Sequence, residues 1–178
     1  MMAKVMKGAA SISLLITILF AAVYFLGSRW AMPFAITFGT CFYHFAMRLL
    51  VGQIIHRKMQ NKAEYCKTWY QLRPFEHKLY RLLKVKSWKG KMPTYDPKVF
   101  DFRIRSWEEI AQAMCQAEIV HEVIVVLSFL PLLAAIPFGA FSVFFITSLL
   151  AALYDLTFVI MQRFNRPRII KFIEKERA

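Results

Sequence analysis

Residues 118–161 read EIVHEVIVVLSFLPLLAAIPFGAFSVFFITSLLAALYDLTFVIM. Between Glu122 and Asp155 there is no charged side chain. The run is long enough to cross a bilayer twice, because one helical span needs about 20 mostly apolar residues. Pro137-Phe138-Gly139 breaks it near the middle. The expected structure is a hairpin of two transmembrane helices, 118–136 and 140–161, antiparallel because the connection is short.

The same reasoning extends upstream. Residues 8–26 form another uncharged run, preceded by Lys4 and Lys7. It is long for the apolar part of a secretory leader, and no small-x-small cleavage site follows, so it reads as a retained first span. Gly27-Ser28-Arg29-Trp30 is a turn, and 31–55 is a second span. There Thr37, Thr40, His44 and Arg48 recur at spacings of three and four and share one helix face. The fold class is all-α, a polytopic membrane helical bundle of about four spans. Its organisation is an N-terminal transmembrane hairpin (1–55), a basic aromatic-rich interfacial segment (56–117), a C-terminal transmembrane hairpin (118–161) and a basic tail (162–178).

Composition agrees. The chain is 58% hydrophobic, above the about 45–50% of soluble domains. Its 24 Lys and Arg outnumber 11 Asp and Glu, giving a net charge of +13. That charge is blocked: residues 56–117 hold fourteen Lys and Arg against six Asp and Glu, whereas the outer loops of a four-span chain hold only Arg29. The positive-inside bias therefore puts the N-terminus, the middle segment and the C-terminus in the cytoplasm. Basic residues beside apolar spans point to anionic lipid; no nucleic-acid-binding module is recognisable. The aromatic residues threaded through the middle segment, Trp69, Tyr70, Phe75, Tyr80 and Trp88 among them, suit a layer lying on the leaflet. Ser106 and Glu109 form a capping-box pattern, so a helix is expected from Trp107 directly into the third span. Cys41, Cys66 and Cys115 are odd in number and widely spaced, and give no disulfide framework or CxxC pair.

Ionisable groups in a span are costly and suggest function. His44 and Arg48 on the second span, Glu118, His121 and Glu122 on the third, and Asp155 and Gln162 on the fourth are such groups. In the proposed orientation Arg48, Glu118, His121 and Gln162 reach one depth near the cytoplasmic boundary. Structural readings stand beside this: Arg48 snorkels, and Asp155 pairs with Arg48 or a Thr. Glu118-x-x-His121 permits a metal reading, since Glu-x-x-His occurs in di-iron bundles, but those use two such motifs and this chain has one. A general base fits better: His121, oriented by Glu118, takes a proton from a hydroxyl. No tightly bound cofactor or metal is expected. Cys115, one turn before Glu118, reads either as a thioester-forming nucleophile or as an inert buried thiol. Arg163, Arg166 and Arg168 read either as headgroup anchors or as phosphate ligands.

Cys115-Gln116-Ala117-Glu118-Ile119-Val120-His121, a hydrophobic hairpin, and then Gln162-Arg163-Phe164-Asn165-Arg166-Pro167-Arg168 resemble the glycosyl-4,4'-diaponeurosporenoate acyltransferases. Lys84-Val85-Lys86-Ser87-Trp88-Lys89-Gly90-Lys91-Met92-Pro93 looks like that family's basic Trp-Lys motif. The resemblance covers residues 76–170. It implies a bacterial cell-membrane enzyme of carotenoid biosynthesis that moves a fatty acyl group to a sugar hydroxyl. It implies catalytic roles for His121 and Glu118, and substrate binding by Trp88, Lys89, Gln162, Arg163, Asn165, Arg166 and Arg168, to which the span residues His44 and Arg48 are added. Three positions depart from the family pattern: Glu122 stands in place of Trp, Asp155 in place of Asn, and Thr157 in place of Pro. These departures point to another lipid or glycolipid acceptor, with an activated acyl thioester as donor. The alternatives are a non-enzymatic lipid-binding or assembly protein, and a metal-dependent membrane enzyme using His44, Glu118 and His121.

Overall fold

The computed structural model describes residues 2–178. It is all helical, and four helical segments are long and apolar enough to cross a membrane. Helix α1 (Met2–Phe25) and helix α2 (Met32–Met59) pack as one antiparallel pair. Gly27, at φ 103°, makes the turn between them in a conformation that disfavours side chains. Phe20 of α1 stacks on Phe34 and Phe38 of α2 and seals the pair.

The second pair is built from longer pieces. Helix α5 (Trp107–Leu127) begins at the expected capping box: Glu109 N–H donates to Ser106 Oγ at 3.2 Å, and Ser106 N–H donates to Glu109 Oε2 at 2.9 Å. It then enters the bilayer without a break and continues through a 3-10 turn over Leu130–Ala134 into the short helix α6 (Ala135–Phe138). Gly139, at φ 68°, reverses the chain. Helix α7 (Phe141–Arg177) runs the remaining length in one piece, with Pro167 inside it. The segment expected as a separate tail, 162–178, is thus the far half of the fourth helix. Pro167 has no N–H to donate to the carbonyl of Arg163, so one helical hydrogen bond is absent there.

Between the pairs in sequence lies a layer of short helices and turns. Helix α3 (Pro74–Leu82) starts on Pro74, with Glu76 Oε2 accepting the Arg73 N–H at 2.6 Å. Helix α3 ends at Leu82: Lys84 adopts φ 48°, and a separate turn, α4 (Val85–Trp88), follows. Trp88 Nε1 donates to the Leu83 carbonyl at 3.0 Å and fixes that bend.

The burial pattern is inverted relative to a soluble domain. Ile12, Leu15, Leu19, Val126 and Leu150 are exposed on the outside of the spans. Arg166, Glu118 and Asp155 are among the largest fully buried side chains. In water this arrangement would be unstable; in lipid the exposed aliphatic surface meets acyl chains and the polar groups must find one another. The apolar contact joining the two pairs is Met47 and Val51 of α2 against Ile124 of α5.

Candidate active site

Two buried charge clusters lie on α7, one above the other. The deeper contains Asp155. His121 Nδ1 is 2.8 Å from Asp155 Oδ1, and Arg48 Nε donates to Asp155 Oδ2 at 3.0 Å. Arg48 Nη2 also contacts Oδ2 and donates to the Ala151 carbonyl at 3.3 Å, while Nη1 donates to the His44 carbonyl at 3.0 Å. Three helices therefore meet at one carboxylate. Arg48 does not snorkel; it neutralises Asp155, which an apolar interior requires of a buried charge. The His121 ring lies flat on Phe158, with centroids 4.5 Å apart. Its side chain is 22% exposed, so the ring is held from one side and open at the other.

The second cluster lies two turns toward the C-terminus of α7. Arg163 Nε donates to Glu76 Oε1 at 2.6 Å, Nη2 to Glu76 Oε2 at 2.9 Å, and Nη1 to Glu118 Oε1 at 2.6 Å. The same guanidinium donates to the carbonyls of Trp69 and Gln71, each at 2.9 Å. Arg166 contacts Glu118 Oε2 and donates to the Tyr70 carbonyl at 2.9 Å. Two arginines thus clamp the 69–71 loop and helix α3 onto the bundle. Tyr80 OH donates to Glu76 Oε1 at 2.8 Å. Burial alone would raise the Glu76 pKa, but the bonds from Arg163, the Arg73 N–H and Tyr80 outweigh it and hold the carboxyl at about 2. Burial and the bond to Glu76 push the Tyr80 phenol upward.

Several sequence expectations change here. Glu118 was to orient His121; it is instead fully occupied by Arg163 and Arg166, and Asp155 takes its place beside the imidazole. The cause is geometric: Glu118 precedes His121 by three residues on α5, yet the i, i+3 neighbours bond to different turns of α7. Arg163 and Arg166 were to hold substrate phosphate. All three guanidinium nitrogens of Arg163 and both Nη of Arg166 bond carboxylates and carbonyls; Arg166 Nε has no partner within the protein, but the side chain is 1% exposed and does not face a ligand from solvent. Arg168, by contrast, is exposed. Lys89 Nζ bonds Asn165 Oδ1 and lies 4.7 Å from the centroid of the Phe164 ring. Trp88 braces the α3–α4 bend, and Gln162 is buried. His44 is buried one turn from Arg48, with neither ring nitrogen bonded within the protein. Among the described residues no three His, Cys, Asp or Glu side chains converge as a metal-binding group, and the carboxylate of the supposed His44–Glu118–His121 set is taken by arginines.

Sequence reasoning missed Glu76, Tyr80 and the three loop carbonyls. Glu76 had a signal: it is the lone acid in an otherwise basic stretch, and Tyr80 follows one turn later.

A model of the glycosyl-4,4'-diaponeurosporenoate acyltransferase family matches residues 66–175. The chain belongs to that family. The match contains Glu76, Glu118, His121, Asp155, Arg163 and Arg166, and leaves out α1 and α2, which supply His44 and Arg48. No curated protein and no solved structure matches the chain. The structure and the family together describe a membrane-embedded acyltransferase.

Proposed function

We propose that the protein transfers a fatty acyl group from an activated thioester to a hydroxyl of a lipid or glycolipid acceptor at the cytoplasmic boundary of the bacterial cell membrane. His121 is the general base. The observation that carries the reading is the His121–Asp155 pair, with the ring anchored through Nδ1 and partly open. With Nδ1–H donated to Asp155, Nε2 holds the lone pair that receives a proton. Arg48 balances the carboxylate, so Asp155 orients the ring without demanding that it be charged.

The chemistry is direct. Nε2 takes the hydroxyl proton as the oxygen attacks the thioester carbonyl. The carbon–sulfur bond then breaks, and the imidazolium returns the proton to the leaving thiolate. The ester forms without a covalent enzyme intermediate. Glu118 supports this by fixing Arg163 and Arg166, which set the position of the cytoplasmic layer. Glu122, which replaces the Trp of the family pattern one residue after the base and accepts from Trp69 Nε1 at 3.2 Å, makes the surroundings of the base more polar and favours a lipid or glycolipid acceptor other than a carotenoid glycoside. The termini lie in the cytoplasm in this reading, on the strength of the charge distribution.

The test uses purified wild-type and His121→Ala protein in lipid discs, supplied with radiolabelled acyl thioester and a membrane lipid extract. The wild type forms a labelled lipid ester and the variant does not. Equal product from both would remove His121 from the mechanism, and no product from either would favour a binding role without catalysis.

A further inference from the structure

A cavity of about 550 Å³ lies between the α3–α4 bend and α7, outside the two charge clusters. Tyr80, Val85 and Phe164 form its apolar floor, and Arg81, Lys84 and Lys86 stand on its rim. Among the described residues these three cations and the neighbouring Arg168 make no salt bridge. The crowding reaches Lys89, whose ammonium is disfavoured by burial and then by the charges of Arg168 and Lys86. Like charges gathered without a counter-charge are relieved by an anion, and several at once by a polyanion. The floor is different in kind. One wall is a phenol and another a phenyl ring, surfaces that take a flat heterocycle or a slender apolar arm.

Position links the cavity to the reaction. Tyr80 bonds Glu76, Glu76 bonds Arg163, and Arg163 bonds Glu118, one turn from His121 on α5. A ligand seated on Tyr80 therefore lies at the end of a continuous bonded path to the reacting layer.

We propose that this cavity is the donor subsite and takes the acyl thioester of a phosphorylated nucleotide carrier. Its phosphates rest on Arg81, Lys84 and Lys86, and its arm runs over Tyr80 and Phe164 toward the α5–α7 layer. This deepens the acyltransferase reading and rests on it. A nucleotide is preferred to a carrier protein because the recess has an aromatic floor beneath its basic rim, whereas an acidic protein surface would need the rim alone. It is preferred to a lipid headgroup for the same reason.

The experiment measures binding of coenzyme A, and of a non-transferable acyl thioether of it, to the full-length protein in zwitterionic lipid discs. The double variant Arg81→Gln/Lys86→Gln should bind at least about tenfold more weakly, since each loses a charge-assisted bond. Ser87→Trp, at the exposed lip, should weaken binding comparably while leaving every charge in place. His121→Ala should bind like the wild type, so a catalytic failure and a subsite failure are read separately. Absence of saturable coenzyme A binding, or undiminished binding by both rim variants, overturns the proposal. So does binding of an acyl carrier protein in place of coenzyme A. A rim that loses affinity only for phosphatidylglycerol vesicles is a headgroup site and also overturns it. Melting temperatures of the variants confirm that each is folded.

Discussion

His121 and Asp155 face each other across 2.8 Å although 34 residues separate them in sequence. The contact ties α5 to α7, and Arg48 brings α2 to the same carboxylate. A single residue therefore serves both bundle assembly and the orientation of the proposed base.

The two roles of Asp155 are separable. Asp155→Ala, which removes the acceptor for His121 Nδ1–H altogether, should lower acyl transfer by ~10²-fold or more. It should also destabilise the bundle, because the charge on Arg48 loses its partner. Arg48→Gln combined with Asp155→Ala should recover thermal stability and not activity. Melting curves and ester formation on the two variants decide it; recovery of both together would make Asp155 purely structural.

Glu118 behaves differently from His121. Glu118→Gln leaves Arg166 a buried cation without a carboxylate, while Arg163 keeps Glu76, and should cost about 3–5 kcal/mol of stability. His121→Ala, with a partly open ring, should unfold close to the wild-type temperature. The reverse order of melting temperatures would return Glu118 to the catalytic role expected from its spacing.

The layer of short helices around α3 should release in acid. Glu76 is held at about 2, below its ordinary 4.5. Its contribution to docking is complete above 4.5 and is lost as pH falls from there through about 2. Amide exchange in α3 should rise across that window, and Glu76→Gln should exchange rapidly at every pH. A layer that stays protected to pH 2 in the wild type would show that Arg163 is not its main anchor.

Cys115 is fully buried, and a nucleophilic thiol needs an exposed, electropositive setting. Cys115→Ala should retain activity within about twofold. Loss of turnover in a folded Cys115→Ala protein would revive the covalent thioester route.

The orientation can be read from a thiol. Cys66 is exposed in the segment before α3, which the proposed orientation puts in the cytoplasm. In intact cells it should react with a membrane-permeant maleimide and resist a charged one, and react with both after lysis. Labelling of intact cells by the charged reagent would invert the topology.

The four spans were legible because lipid imposes a length and an apolarity that few other environments ask for. The start of α5 was legible from Ser106 and Glu109 alone, since a cap is a local motif. The partners of the buried charges were not. Spacing places Glu118 and His121 on one face of α5, but which turn of α7 each meets depends on the rotation of two helices about their axes, and no local pattern encodes that. Asp155 was visible as a partner for Arg48; its bond to His121 required three helices to converge. Glu76 lay in a stretch read as a basic surface, and its burial depends on the long arginines of α7 reaching out to it. The far end of α7 was taken for a tail because its charge ends the apolar run; that it stays helical depends on Glu118 clamping Arg163 and Arg166, a contact no local pattern encodes.

The unbroken course of α7 past Pro167 has a metric consequence. Asp155 and Arg163 stand eight residues apart on one rod, about 12 Å at the helical rise. A rod does not lengthen to suit its load, so the gap between the Asp155 layer and the Arg163 layer is a fixed gauge. In the proposed reaction a thioester held at the Arg163 end meets His121 only when its arm spans that gauge, so the gap selects for the length of the arm and not of the acyl chain.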